Sequence, residues 1–220
     1  MTYWRWESDQ LYRSRPPYQS VTVTQPEPTH ELFDITTIKN YLKMDTDTDN
    51  DLINLIQKSI RKQLENELGG VLIVRRSVTQ KQTGGVETIN LLRQPVNSIT
   101  SVIYFENFDS TGEVVVATDY RFHDGQLIHR DGYWKQGRSG DGYVIVYDAG
   151  HVADTEQAAE NSLPAIRTAA LRLIAYIYEN REEFATTISE GNFSVSYNTI
   201  VGNSELKSLL APYLGARAVF

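Results

Sequence analysis

The sequence predicts an α+β protein, a helical bundle with an inserted antiparallel β domain and extended N- and C-terminal arms. Three observations carry this expectation. Apolar residues recur at helical spacing in residues 33–69 and again from Leu163. Between them, from Val71 to Gly150, the period becomes that of strands divided by glycine-bearing turns. Both ends mix aromatic, charged and proline residues with neither period. The expected boundaries are an arm over 1–32, a bundle from 33–69 and 160–214, a β domain over 70–150 and a tail over 215–220.

In the first arm, Tyr3, Trp4, Trp6, Tyr12 and Tyr18 are interspersed with charges and with Pro16, Pro17, Pro26 and Pro28. Proline removes backbone donors and disfavours helix at the preceding residue, so the segment reads as extended. Its aromatics are expected to lie on another surface, because contiguous apolar patches are costly in water. From Phe33 the pattern turns helical. Asp34 is placed to cap a short helix carrying Ile35, Ile38, Tyr41 and Leu42, with Phe33 as a hydrophobic staple. Asp49 is expected to cap a longer helix with Leu52, Ile53, Ile56, Ile60, Leu64 and Leu68 on one face, stopped by Gly69 and Gly70 in the left-handed conformation.

The strand runs VLIVRRSVT, SITSVIYFE, EVVVATDYRF and YVIVYDA are separated by Gly84-Gly85, Gly112, Asp124-Gly125, Asp131-Gly132 and Gly140-Asp141-Gly142, read as turns needing positive φ. Apolar residues fill both alternating sets of Tyr143 to Tyr147, which predicts that both faces of that strand are covered. A third helix is expected from Leu163-Pro164, through Ile166, Ala170, Leu173, Ile174 and Ile177, to about Glu183. Polar, turn-rich sequence follows, then a short helix over Ser204 to Leu210 that Pro212 ends.

Composition narrows the function classes. With no cysteine among 220 residues, disulfides, thiolate zinc sites and cysteine nucleophiles are excluded. No apolar run approaches the roughly 20 residues of a membrane span, and residues 1–20 contain no signal-peptide core, so a soluble chain made in the cytoplasm is expected. The net charge of -7 opposes a broad phosphate-binding surface, although an acidic wall can border DNA that slides past it.

The side chains able to carry chemistry form no recognisable catalytic set, so a protein that is not an enzyme is expected. Asp45, Asp47, Asp49 and Asp51 alternate like calcium-loop ligands, yet counting from Asp45 gives Asn50 at the glycine position and Ile56 at the bidentate acid position. His123 and His129, with Asp124 and Asp131 nearby, are a conceivable open metal site, against the commoner reading of hairpin polarity. No nucleophile elbow or phosphate-binding glycine motif occurs, and no cofactor or metal is expected. Arg61, Lys62, Arg75, Arg76 and Lys81 suggest a basic patch, but Lys58, Arg61, Lys62 and Glu65 also fit the exposed face of an amphipathic helix. Tyr133 and Trp134, read as exposed, motivate an alternative: a carbohydrate- or surface-binding β module.

Three ordered stretches resemble the head-tail connector proteins of tailed bacteriophages, also called adaptor or head-completion proteins. They are ITTIKNYLKMDTDTDNDLINLIQKSIRKQLENELGG (35–70), INLLRQPVNSITSVIYFE (89–106) and DGYVIVYDAGHVADTEQAAENSLPAIRTAALRLIAYIYENREE (141–183), and LLAPYL (209–214) is similar to the family's closing segment. The aromatic N-terminal arm departs from the pattern. The resemblance implies a structural virion protein of the neck, in a homo-oligomeric, twelve-fold ring. Its implied partners are the portal protein and a tail or head-closure (stopper) protein. The ring extends a channel through which double-stranded DNA passes without sequence-specific binding, and no membrane is involved. Tyr213, Leu214, Phe220, Trp4, Trp6 and Tyr12 are the candidate contacts to portal or neighbour, being aromatic and apolar residues of the kind enriched at interfaces.

Overall fold

The computed structural model describes residues 21–107, 111–136, 142–155 and 163–180. The described chain is α+β, with three helices and two sheets. It divides into two compact units, Glu27–Arg76 with Gly150–Phe220 and Met1–Pro26 with Ser77–Ala149.

The helical unit begins with α1 (Ile35–Leu42), where the Asp34 side chain accepts the Thr37 amide and so satisfies an otherwise unpaired helix-end donor. Lys43 closes it in the left-handed conformation. Helix α2 (Asn50–Glu67) ends as the sequence suggests: Gly69 and Gly70 take φ values of 75° and 86°, and their amides reach back to the Asn66 and Glu65 carbonyls. Helix α3 (Pro164–Glu179) has proline in its first turn, where the missing N–H costs nothing. The apolar stripes meet in one core containing Phe33, Ile38, Ile53, Ile56, Ile60, Leu64, Ile166, Ala170, Leu173, Ile174 and Ile177. Each large side chain there contributes about 1.5–3 kcal/mol relative to exposure, the main favourable term for this unit.

Val71 to Arg75, expected to open a strand, instead runs irregularly beneath this core. Leu72, Ile73 and Val74 are buried, and an isolated parallel bridge joins Val74 to Val152. Tertiary burial outweighs local strand propensity here.

The other unit holds a five-stranded sheet in the order β1 (Val21–Thr24), β2 (Arg76–Gln82), β8 (Tyr143–Ala149), β4 (Val96–Tyr104), β5 (Glu113–Val114). A second sheet has the order β3 (Thr88–Asn90), β7 (Gln126–His129), β6 (Tyr120–His123). Strands β1 and β2, β4 and β8, and β4 and β5 pair antiparallel. Residues 21–24, read from sequence as part of an arm, are thus an edge strand. In β8, Tyr143, Ile145, Tyr147 and Ala149 are buried, while Val144, Val146 and Asp148 on the other face are half-buried.

Turn chemistry follows the sequence at the β6–β7 hairpin. Asp124 and Gly125, at φ 48° and 75°, form the two-residue connection between His123 and Gln126, which face each other in the register. Gly84 and Gly112 correct the reading, since neither has positive φ. Gly84 is required by proximity, because a Cβ there would lie 1.8 Å from the Lys135 carbonyl oxygen.

Candidate functional site

In the helical unit, the residues leading into α1 are held against α2 by charge. Arg61 is 1% exposed. Its Nε donates to Glu31 at 2.8 Å, its Nη1 to Glu65 at 3.2 Å, and its Nη2 to Glu27. Glu65 also accepts from Arg76 and from the Ile73 amide, while Glu27 pairs with Lys62 at 2.7 Å. Three cations therefore face three carboxylates. Burial alone would favour loss of the Arg61 proton, but Glu31, Glu65 and Glu27 outweigh it and keep the guanidinium charged. The hydrogen bond from Lys62, helped by Arg61, holds the Glu27 carboxyl below its ordinary value.

This arrangement corrects the sequence reading of the basic run. Lys58 and Lys62 are exposed as expected, whereas Arg61, Glu65 and Arg76 are buried in a compensated cluster. Arg61 and Arg76 face carboxylates and offer no open phosphate-binding patch.

The following residues are pinned by backbone recognition. Asp154 accepts the Thr29 and His30 amides, both at 2.8 Å, and Gln57 Oε1 accepts the Phe33 amide at 3.0 Å. Arg167 donates to the Leu32 carbonyl and lies 4.4 Å from the Phe33 ring centroid, a cation–π arrangement. Thr29, His30, Asp34, Thr37, Asn54 and Arg167 border a cleft of about 210 Å³. That is below the roughly 300–1,000 Å³ of ordinary ligand pockets.

Among the aspartates before α2, Asp47 accepts from Lys39 Nζ at 2.6 Å and from Asn50 Nδ2 at 3.2 Å. Asp49 occupies the cap position but makes no side-chain cap, since its carboxylate accepts the Tyr178 hydroxyl instead. This corrects the expected capping role: the aspartate ties the start of α2 to α3.

In the other unit, β2 carries Gln80 and Gln82 on its buried face. Gln80 Oε1 accepts the Leu92 amide and the Tyr147 hydroxyl, and its Nε2 donates to the Asn90 carbonyl and to Gln82. Tyr147 in turn accepts the Arg93 amide, and Arg93 Nε reaches Gln25 at 3.0 Å. Burial pushes the Tyr147 phenol up to about 12.

Two further sequence readings change here. Trp134 is wholly buried, its Nε1 donating to the Leu127 carbonyl at 3.2 Å and its ring edge-on to Tyr143 and His129. The aromatic pair proposed for a carbohydrate surface is therefore reduced to Tyr133, which is exposed. His123 and His129 do not meet either: His123 faces Gln126, and His129 faces Tyr120 and accepts the Asp131 amide. No group of three potential metal ligands occurs among the described residues. Nor is any helix among them long and apolar enough to cross a membrane.

The six contact candidates, Trp4, Trp6, Tyr12, Tyr213, Leu214 and Phe220, lie outside the described residues, as do the expected short helix over Ser204 to Leu210 and the expected end of the third helix near Glu183.

No protein-family model matches the chain, and no curated protein matches its sequence. Solved structures do match its fold. A chain from the neck of the empty gene transfer agent (GTA) particle, computed with C6 symmetry, is 13% identical at a TM-score of 0.63, over 87% of this chain and 94% of that one. A chain of the virion of the native particle gives 12% identity and a TM-score of 0.60 over the same shares. A chain from the neck of the native particle, computed with C12 symmetry, gives 12% and 0.56 over 86% and 94%. At such identity the likeness establishes a shared fold.

Proposed function

We propose that this chain is a structural subunit of a virion neck, a head-tail connector that joins the portal to the tail machinery as a ring. The observation that carries the reading is that its fold covers 94% of chains found in particle necks. Necks computed with C6 and C12 symmetry are compatible with a twelve-fold ring, which this reading adopts. In it, the helices form a bundle into which the β unit of residues 77–149 is inserted. The ends supply the contacts to partners.

The net charge of -7 suits a channel past which DNA slides, since a like-charged wall suppresses tight backbone contact. Tyr213, Leu214, Phe220, Trp4, Trp6 and Tyr12 would contact the portal or a neighbouring copy. No catalytic or cofactor role is invoked.

The test is incorporation. Deleting residues 211–220 should leave a folded monomer with unchanged circular dichroism that no longer joins portal-bearing particles. Particles that take up the truncated chain at the full level would remove the docking role of the tail. Electron microscopy of particles that place the chain away from the neck would remove the connector reading altogether.

A further inference from the structure

We propose that copies of this chain join by sheet-edge pairing, the outer edge of β5 in one copy receiving the outer edge of β1 in the next. This rests on the ring reading above, which requires an interface between two different surfaces of the same subunit.

The strands β1 and β5 end the five-stranded sheet on opposite sides, so each leaves one row of backbone groups without a strand partner among the described residues. Natural proteins usually guard such edges with short strands, charges, proline or a bulge. Strand β1 holds no charge, proline or bulge; β5 is two residues long and carries Glu113, but the chain runs on from it through Val115, Val116 and Ala117. Strand β1 reads VTVT, and β5 with the residues after it reads EVVVA. The register shifts of this sheet fall between β4 and β8, in its interior.

The β5 edge is also apolar. Val114 and Val116 are 65% and 52% exposed. The Val115 amide donates inward to the Val102 carbonyl at 2.9 Å, and Val114 faces Ile103. In an antiparallel ladder the inward and outward sets alternate, so the Val114 N–H and C=O point away from β4.

Charge is complementary across the two sides of the sheet. Glu113 lies in β5, and the exposed Lys81 of β2, one strand in from the β1 edge, lies opposite Thr22. The β1 side of a second copy thus supplies β-branched residues, backbone partners and, one strand in, a complementary charge. Because every copy offers both edges, the contact repeats and can close into a ring.

The absence of native cysteine makes the test direct. Val114→Cys or Val116→Cys is combined with a cysteine at each of Val21, Thr22, Val23 and Thr24. Three strands separate β1 from β5 within one copy, roughly 19 Å at strand spacing, so an intramolecular disulfide is out of reach. Oxidation should give a ladder of covalent oligomers for at least one pair and at most dimers for single-cysteine chains. The double variant Val114→Lys, Val116→Lys should keep the melting curve and weaken self-association at least tenfold by sedimentation.

No ladder from any pair, both in concentrated protein and on portal rings, would overturn the proposal, as would unchanged association of the lysine variant. Portal-seated rings without a ladder reject edge pairing and leave the connector reading intact. Ladders from a chain that never seats on portal do the reverse.

Discussion

The Tyr147 hydroxyl donates to Gln80 Oε1 at 3.2 Å, and both side chains are buried. Gln80 sits on β2 and Tyr147 on the adjacent β8, so the pair is a cross-strand contact made polar. Both groups are saturated by neighbours, which is the condition under which buried polarity is tolerated. Tyr147→Phe strands the Arg93 amide and removes one Gln80 partner, and should cost about 1–3 kcal/mol in urea denaturation. Gln80→Met strands four groups at once and should cost more than Tyr147→Phe. Equal losses would mean that water replaces the missing partners.

Arg61 gives a second prediction. Arg61→Met keeps the volume of the side chain but leaves Glu65 and Glu31 with reduced compensation in a buried setting. Breaking one partner of a buried ion cluster costs about 3–5 kcal/mol, so the melting temperature should fall sharply. Lys62→Ala, at an exposed pair with Glu27, should cost under about 1 kcal/mol. Arg61→Lys should recover little, because one ammonium cannot reproduce a fork reaching three carboxylates. Similar denaturation midpoints for all three variants would contradict this ranking.

These two clusters also mark where sequence reading stops. The period of Ile53, Ile56, Ile60 and Leu64 locates the core face of α2 correctly. Arg61 lies at the border of that stripe, and whether a border arginine is solvated or buried depends on what covers it. The covering carboxylates Glu27 and Glu31 arrive from 34 and 30 residues upstream, a long-range fact that no local pattern holds. The same applies to Trp134 and Tyr133, neighbours of which one is wholly buried and the other exposed. Strand β1 was hidden for a related reason: its partner β2 lies more than fifty residues away in the chain, and nearby prolines signal extension without naming a partner. By contrast the Asp34 cap, the Gly69-Gly70 stop and the Asp124-Gly125 turn depend on adjacent residues and were legible.

A third prediction concerns Asp49 and Tyr178. Because the Tyr178 hydroxyl donates to the Asp49 carboxylate, Tyr178→Phe removes a bond to a charged acceptor, worth about 1.5–3 kcal/mol. Amide hydrogen exchange should accelerate in the first turn of α2 and the last turn of α3. Asp49→Asn, which retains an accepting oxygen, should restore much of the protection that Asp49→Ala loses. If Asp49→Asn and Asp49→Ala exchange alike, the contact contributes nothing through its acceptor.

Acid should loosen the segment that enters α1 through Asp154. Burial would raise the carboxyl's pKa, but the hydrogen bonds from the Thr29 and His30 amides outweigh it, leaving the folded value below the ordinary one. A depressed folded pKa gives stability that is present above the unfolded value near 3.9 and lost as pH falls through the folded value. Glu27, also depressed, adds to the same acid limb. Asp154→Asn should therefore be less stable than the parent at pH 7 by about 1–2 kcal/mol, since one charged acceptor of two amides becomes neutral. Below pH 4 the gap should shrink, because the parent carboxyl then loses its charge as well. Melting curves from pH 7 to pH 2.5 read this directly, and a gap that stays constant would show that the Asp154 charge is not what holds Thr29 and His30 in place.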